Sequence, residues 1–94
     1  MPAYVLVEVD IIDSKEYDIY KSLTPATVEA YGGKFIIRGN PVQVMEGSWN
    51  HDRLVMIEFP NKKIAEEWYF SKEYQEARDI RLKASNAKFF IIEV

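Results

Sequence analysis

The chain has no cysteine, a single histidine, four glycines and four prolines in 94 residues. Without a thiol there is no disulfide, no thiolate nucleophile and no thiolate-rich metal site, and the lack of cysteine fits a reducing compartment. One histidine without cysteine does not make a zinc centre, so neither a metal nor a cofactor is expected. The glycines at Gly32-Gly33 and Gly39 do not form the phosphate-cradling loops of nucleotide sites. The formal charge of -3 arises from 15 acidic and 12 basic residues spread along the chain. It leaves no basic field for a phosphate backbone, so nucleic acid is not an expected partner. No apolar run approaches the roughly 18 residues of a membrane span. Met1-Pro2-Ala3-Tyr4 leads into a strand pattern bearing Glu8 and Asp10 rather than the basic start and apolar stretch of a secretory signal. The expectation is a cytoplasmic protein with no membrane partner.

The hydrophobic share is nonetheless 48%, enough for one modest core, and residues 1–94 read as a single domain. The clearest pattern is in strands that are apolar on both faces. Val5, Val7 and Val9 define one face of a first strand, Ala3 to Ile11, while Tyr4 and Leu6 begin the other before Glu8 interrupts it. Arg53 to Phe59 repeats the arrangement, with Val55, Ile57 and Phe59 on one side and Leu54, Met56 and Glu58 on the other.

Between these strands, Asp13 followed by Glu16 has the spacing of a capping box, and Tyr17 and Tyr20 recur at helical spacing. Pro25 predicts an interruption, with Thr24 capping a restarted piece, and Gly32 and Gly33 supply the stop. Lys34 to Gly39 reads as a second strand with Phe35 and Ile37 facing one way and Ile36 and Arg38 the other. Val42 and Val44 at period two predict that Pro41 to Glu46 extends the sheet, before a turn over Gly47 to Asp52. After Pro60, Asn61 caps a short helix bearing Ile64 and Trp68 on one face, and Ser71 caps another bearing Tyr74, Ala77 and Ala84, with Arg81 at the intervening turn. Lys88 to Val94 closes the chain as a strand.

The order strand, helix, strand, strand, helix, strand is that of a ferredoxin-like α+β sandwich, with helices on one face of an antiparallel sheet. That architecture leaves the second apolar face bare. Its simplest cover is another copy of the chain, so a homodimer packed sheet to sheet is expected.

Strand parity places Glu8, Arg38 and Glu58 together on the face turned from the helices, with Glu93 joining them if the last strand keeps the same register. In an apolar surround such groups can hold a polar ligand or exchange a proton; a salt-bridge network locking a dimer explains the same pattern. His51, beside Asp52 and close to Trp49, is the one side chain with an unperturbed pKa near neutrality. It is a candidate acid or base at a pocket mouth, although a lone loop histidine is more often solvated. Tyr69, Tyr74, Arg78 and Arg81 gather around the last helix, where a guanidinium can meet an anion and a phenol can orient it. Aromatic packing with solvated arginines accounts equally for that cluster.

The phrases Gly32-Gly33-Lys34-Phe35, Arg38-Gly39, Glu46-Gly47-Ser48-Trp49, Arg53-Leu54-Val55, Glu58-Phe59-Pro60 and Trp68-Tyr69-Phe70-Ser71-Lys72-Glu73-Tyr74-Gln75 resemble, in order and spacing, the small bacterial family known as domain of unknown function 1330. That family lies within the dimeric α/β-barrel superfamily. The resemblance implies a ferredoxin-like subunit and a barrel formed across a dimer. It implies no reaction, since the superfamily holds cofactor-free monooxygenases, isomerases, haem enzymes and proteins without known catalysis. Where the family commonly has proline after the serine, this chain has Lys72, which bears on the helix start more than on chemistry.

The sequence therefore reads as a small dimeric protein accommodating a small organic ligand. Arg38, Trp49, Tyr69, Tyr74 and Arg78 are the binding candidates, and His51, Glu58 and Glu8 would act in a cofactor-free enzymatic version. The alternative is a non-enzymatic structural or interaction protein in which the same groups maintain the dimer.

Overall fold

In a computed structural model describing residues 1–94, the alternating valines of the first segment form strand β1 (Ala3–Ile11), and Asp13 starts helix α1 (Ser14–Ala30). The Asp13 carboxylate accepts hydrogen bonds from the Lys15 and Glu16 amides at 3.1 and 3.2 Å, satisfying donors that a helix start leaves open. Strands β2 (Lys34–Arg38) and β3 (Arg53–Phe59) follow, then helices α2 (Lys62–Tyr69) and α3 (Lys72–Ala84), and strand β4 (Ser85–Glu93). The strands form one antiparallel sheet in the order β2-β3-β1-β4. This is the ferredoxin-like α+β fold expected from the pattern.

The core lies between the helices and one sheet face. Val5, Val7, Val9, Val55, Ile57 and Phe59 are buried there, with Tyr17, Val28, Trp68, Tyr74 and Ala77 from the helices. Trp68 is fully buried between Phe59 and Tyr74, at ring separations of 5.2 and 4.2 Å, and its indole N–H donates to the Thr27 hydroxyl at 3.1 Å. An indole needs such a partner when it is removed from water. No helix is long and apolar enough to cross a membrane.

Four expectations are corrected. First, α1 runs through Pro25 as one helix rather than two pieces, with the Thr24 hydroxyl donating to the Tyr20 carbonyl at 2.7 Å. It stops as foreseen at Gly32, whose φ is +71°. The Gly33 amide bonds to the Val28 carbonyl and the Gly32 amide to that of Glu29, both at 3.0 Å, a Schellman closure. Second, β2 carries a bulge between Phe35 and Ile37. Phe35 pairs with Ile57, but Ile37 pairs with Met56 and Arg38 with Val55. One extra residue inverts the parity beyond it, so Arg38 lies on the helix-covered face and Ile37 on the bare one. Third, residues 40–52 add no strand, and Val42 and Val44 are exposed. Fourth, β4 begins at Ser85 directly after α3, and its register places Glu93 opposite Ala3 on the helix side, away from Glu8.

Candidate functional site

A pocket opens between α1 and the sheet, lined by Tyr17, Tyr20, Thr24, Phe35, Arg38 and Arg53 around a floor of Val7, Val55 and Ile57. Lys21 and Phe89 complete the lining. Local rules set each position. Tyr17, Tyr20 and Thr24 share the inward face of α1 at spacings of three and four residues. Arg53 has the inward parity of Val55 and Ile57 on β3. Arg38 reaches the same side through the β2 bulge, and its Nη2 donates to the Lys21 carbonyl at 2.8 Å. The enclosed space is small, about 20 Å³, room for one water-sized group.

The charge arrangement is unusual. The ion pairs of the fold join Lys21 to Asp18, Lys34 to Glu58, Lys62 to Glu66, and His51 to Glu8 and Asp10. No arginine takes part, although the chain has Arg38, Arg53, Arg78 and Arg81. Each guanidinium instead lies over an aromatic ring: Arg38 over Phe35 at 4.7 Å, Arg53 over Tyr17 at 5.8 Å, Arg78 over Tyr69 at 5.9 Å and Arg81 over Phe89 at 4.5 Å. The Nε atoms of Arg53 and Arg81 are buried without a hydrogen-bond partner, and Arg81 is only 4% exposed. A cation–π contact offsets part of the desolvation cost but supplies no acceptor for those two Nε–H donors.

The phenols beside these cations stay protonated. Burial pushes the Tyr17 hydroxyl above its ordinary value, with Arg53 and Arg81 pulling the other way. Tyr20 is pushed up well above it by burial and by Tyr74, whose hydroxyl lies 2.9 Å from its own. Burial raises Tyr74 as well, again opposed chiefly by Arg81. The result is a set of neutral O–H groups beside uncompensated guanidiniums, with no carboxylate or imidazole in the lining. Such a site can hold an anion or polarise a carbonyl oxygen; it supplies no general base.

The sequence candidates divide between the two sheet faces. Glu8, Trp49 and His51 come together on the bare face, where residues 49–52 reach back to β1. The Trp49 indole donates to Glu8 at 2.8 Å, His51 Nε2 lies 3.6 Å from the same carboxylate oxygen, and His51 Nδ1 is 3.3 Å from Asp10. Asn86, Ala87 and Lys88 complete a cavity of about 120 Å³ with Glu8, Asp10 and His51. Glu58 does not join them. It pairs opposite Tyr4, whereas Glu8 is opposite Leu54, four residues along the strands and roughly 13 Å away. Glu58 accepts from the Tyr4 hydroxyl at 3.0 Å, which raises that phenol's pKa, and contacts Lys34 at 3.5 Å. Arg38, expected beside these carboxylates, lies across the sheet from them.

Around α3, Arg78 donates to the Tyr69 hydroxyl at 2.9 Å, while Tyr74 is buried against Tyr20. Arg81, not Arg78, is the buried cation. The binding and catalytic candidates drawn from the sequence do not include Tyr17, Tyr20 or Arg53, although Tyr17 and Arg53 are among the positions that match the family resemblance and a further signal existed. Arg53 stands two residues before Val55 and therefore shares its inward parity, and Arg81 falls on the same stripe as Tyr74, Ala77 and Ala84.

The family model for the domain of unknown function DUF1330 matches residues 2–94. No curated protein gives a significant match. Among solved structures, a protein of unknown function from Rhodopseudomonas palustris superposes with a TM-score of 0.79 at 19% identity, over 99% of this chain and 82% of that one. A dimeric ferredoxin-like protein of unknown function from Jannaschia sp. CCS1 gives 0.78 at 13% identity over 100% of both chains. SnoaB, a cofactor-independent oxygenase from Streptomyces nogalater, gives 0.65 at 6% identity over 99% of this chain and 92% of that one. At these identities the likeness is one of fold.

Proposed function

This chain belongs to the DUF1330 family, and from that premise we propose that it is a homodimer that binds a small organic anion, in carboxylate form, in the pocket between α1 and the sheet. The observation that carries the reading is the buried, unpartnered Nε of Arg53 in a lining that also holds Arg38 and the phenols of Tyr17 and Tyr20 and no carboxylate. A carboxylate is the group whose paired oxygens match free guanidinium N–H donors. The phenols would donate to a remaining oxygen. Catalysis that begins with removal of a proton would need a base from the ligand itself, which makes binding, or polarisation of a ligand carbonyl, the chemistry best suited to the pocket.

Support for the dimer comes from the bare sheet face. Leu6, Leu54 and Met56 are only half-buried there, and Phe90 and Ile92 remain 46% and 47% exposed. The Jannaschia relative of the same fold is described as dimeric. An apolar face spread over several strands is the kind of surface that a second copy covers.

The pocket volume of about 20 Å³ favours a second reading, a non-enzymatic interaction protein whose arginines serve only to pack against rings. Calorimetry with benzoate separates the two. Arg53→Gln in the folded dimer should weaken binding about tenfold or more, the loss of a charge-assisted contact, while His51→Ala on the opposite face should leave affinity unchanged. Benzoate binding that is indifferent to Arg53→Gln would exclude the pocket as its site.

A further inference from the structure

On the far side of Phe89 from the arginine pocket lies a second, larger cavity. It measures about 240 Å³ and is lined by Val5, Trp68, Tyr69, Phe70, Phe89 and Ile91, with no charged side chain among them. Phe89 is the one residue that lines both spaces. Its position follows from the β4 register: it pairs with Val7, and Ile91 with Val5, so the cavity continues along the same buried row of β1 that floors the arginine pocket. On its cavity side Phe89 lies 5.7 Å from the Tyr69 ring, and Arg81 covers it at 4.5 Å. Phe70, which forms the outer wall, is 73% exposed.

We infer that the ligand is an amphipathic monocarboxylate, its head among Tyr17, Tyr20 and Arg53 and its apolar body past Phe89 in this second cavity. The inference rests on the anion-binding reading above and adds the class of ligand. Two features favour it over a short or doubly charged acid. The head space of about 20 Å³ holds one water-sized group as it stands, so a ligand head larger than a carboxylate would demand much greater displacement of its walls. The larger space exceeds a 150 Å³ apolar cavity known to hold benzene and offers a ligand body no charged partner. An aryl or medium-length alkyl body leaves water there, while its carboxylate meets the unpaired guanidinium of Arg53 in the head pocket. Phe89 is the one side chain shared by the two linings, so a ligand occupying both requires its ring to turn aside, which makes it a specificity-determining residue of this inference.

The test is a series of straight-chain carboxylates, acetate through octanoate, titrated by calorimetry into the dimer, with 1-octanol as the uncharged probe. Affinity should rise about fourfold per added methylene until the cavity is filled, and octanol should bind far more weakly than octanoate. Ile91→Glu, at a wall position already 37% exposed, should abolish the rise with length while retaining short-chain binding; Arg53→Gln should weaken every length. A readout independent of the wall variant comes from Trp68. In a Trp49→Phe background its emission should shift with octanoate and not with acetate. Affinity that is flat with chain length, or a rise that survives Ile91→Glu with no Trp68 response, would overturn the inference while leaving the carboxylate pocket standing. Absence of binding by every carboxylate, or binding insensitive to Arg53→Gln, would overturn the underlying reading and the inference with it.

Discussion

Arg38 completes a hydrogen bond that Pro25 withholds. In an unbroken helix the amide of residue 25 would donate to the carbonyl of Lys21, but proline has no N–H. The Arg38 guanidinium reaches across from β2 and donates to that carbonyl at 2.8 Å. The contact ties the edge strand to the middle of α1 and lets the helix continue through the proline. It also fixes Arg38 at the mouth of the pocket.

A double-mutant cycle tests this coupling. Arg38→Ala should cost about 1 kcal/mol, the usual net worth of one hydrogen bond, reduced somewhat because Arg38 is exposed. Pro25→Ala restores an N–H for the Lys21 carbonyl, so the same Arg38→Ala change should cost measurably less in that background. Equal costs in urea unfolding would show that the two residues are independent.

Gly39 makes room for Arg53. Its φ is +73°, and an added Cβ would run into the Arg53 guanidinium. Gly47 has a similar φ of +79° but nothing within 4 Å of such a Cβ. Both Gly→Ala changes should cost about 1–3 kcal/mol for the left-handed backbone. Gly39→Ala should cost more, and it alone should displace Arg53 and weaken ligand binding. Identical stability losses with unaltered binding would deny the contact any role.

The legible parts of this fold were those governed by strict periodicity. Val5, Val7 and Val9 and then Val55, Ile57 and Phe59 announced their buried face at period two, and Gly32-Gly33 announced the end of α1. Parity failed where the period itself broke. The β2 bulge transfers Arg38 to the other side of the sheet, and no local residue preference in Phe35-Ile36-Ile37-Arg38 marks it. Pro25 misled because the bond it withholds is supplied by a residue in another element, a tertiary effect outside any helix rule. The pocket escaped for a related reason. Tyr17 and Tyr20 read as core aromatics, and only the convergence of Arg53 and Arg81 on them without a carboxylate gives them a chemical role. Residues 49–52 bring Trp49 and His51 to Glu8 through loop contacts that no periodicity marks, whereas Glu58 sits at the other end of the same face.

The buried phenols set the alkaline limit of stability. Tyr17, Tyr20 and Tyr74 are each raised above an ordinary value of 10.0 in the folded state. Below about pH 10 the folded and unfolded chains both hold these protons, and the phenols introduce no pH slope. Above it the unfolded chain releases protons that the native one retains, so stability falls as pH rises toward the folded values. Thermal melting should therefore decline steeply above about pH 10, and Tyr20→Phe should make that decline shallower. Phenolate absorbance that develops fully before the fold is lost would contradict the protonated cluster.

The bare sheet face gives the most direct test of assembly. Leu54 lies on β3, an interior strand of the sheet, directly opposite Glu8 on β1 and half-buried in the single chain. An aspartate there remains reachable by water in a lone subunit, so Leu54→Asp should fold. Covered by a second sheet, the same carboxylate would lose its hydration without a partner, at a cost of several kcal/mol. Leu54→Asp should consequently sediment as a folded monomer at concentrations where the unmodified protein is dimeric. Met45→Asp, at a residue 81% exposed outside the sheet, should remain dimeric. Because the arginine pocket lies on the opposite side of the sheet, the monomeric variant should still bind carboxylates. If both variants stay dimeric, the subunits meet through another surface; if the Leu54 variant loses carboxylate binding while folded, the pocket depends on the partner and is not the property of one chain.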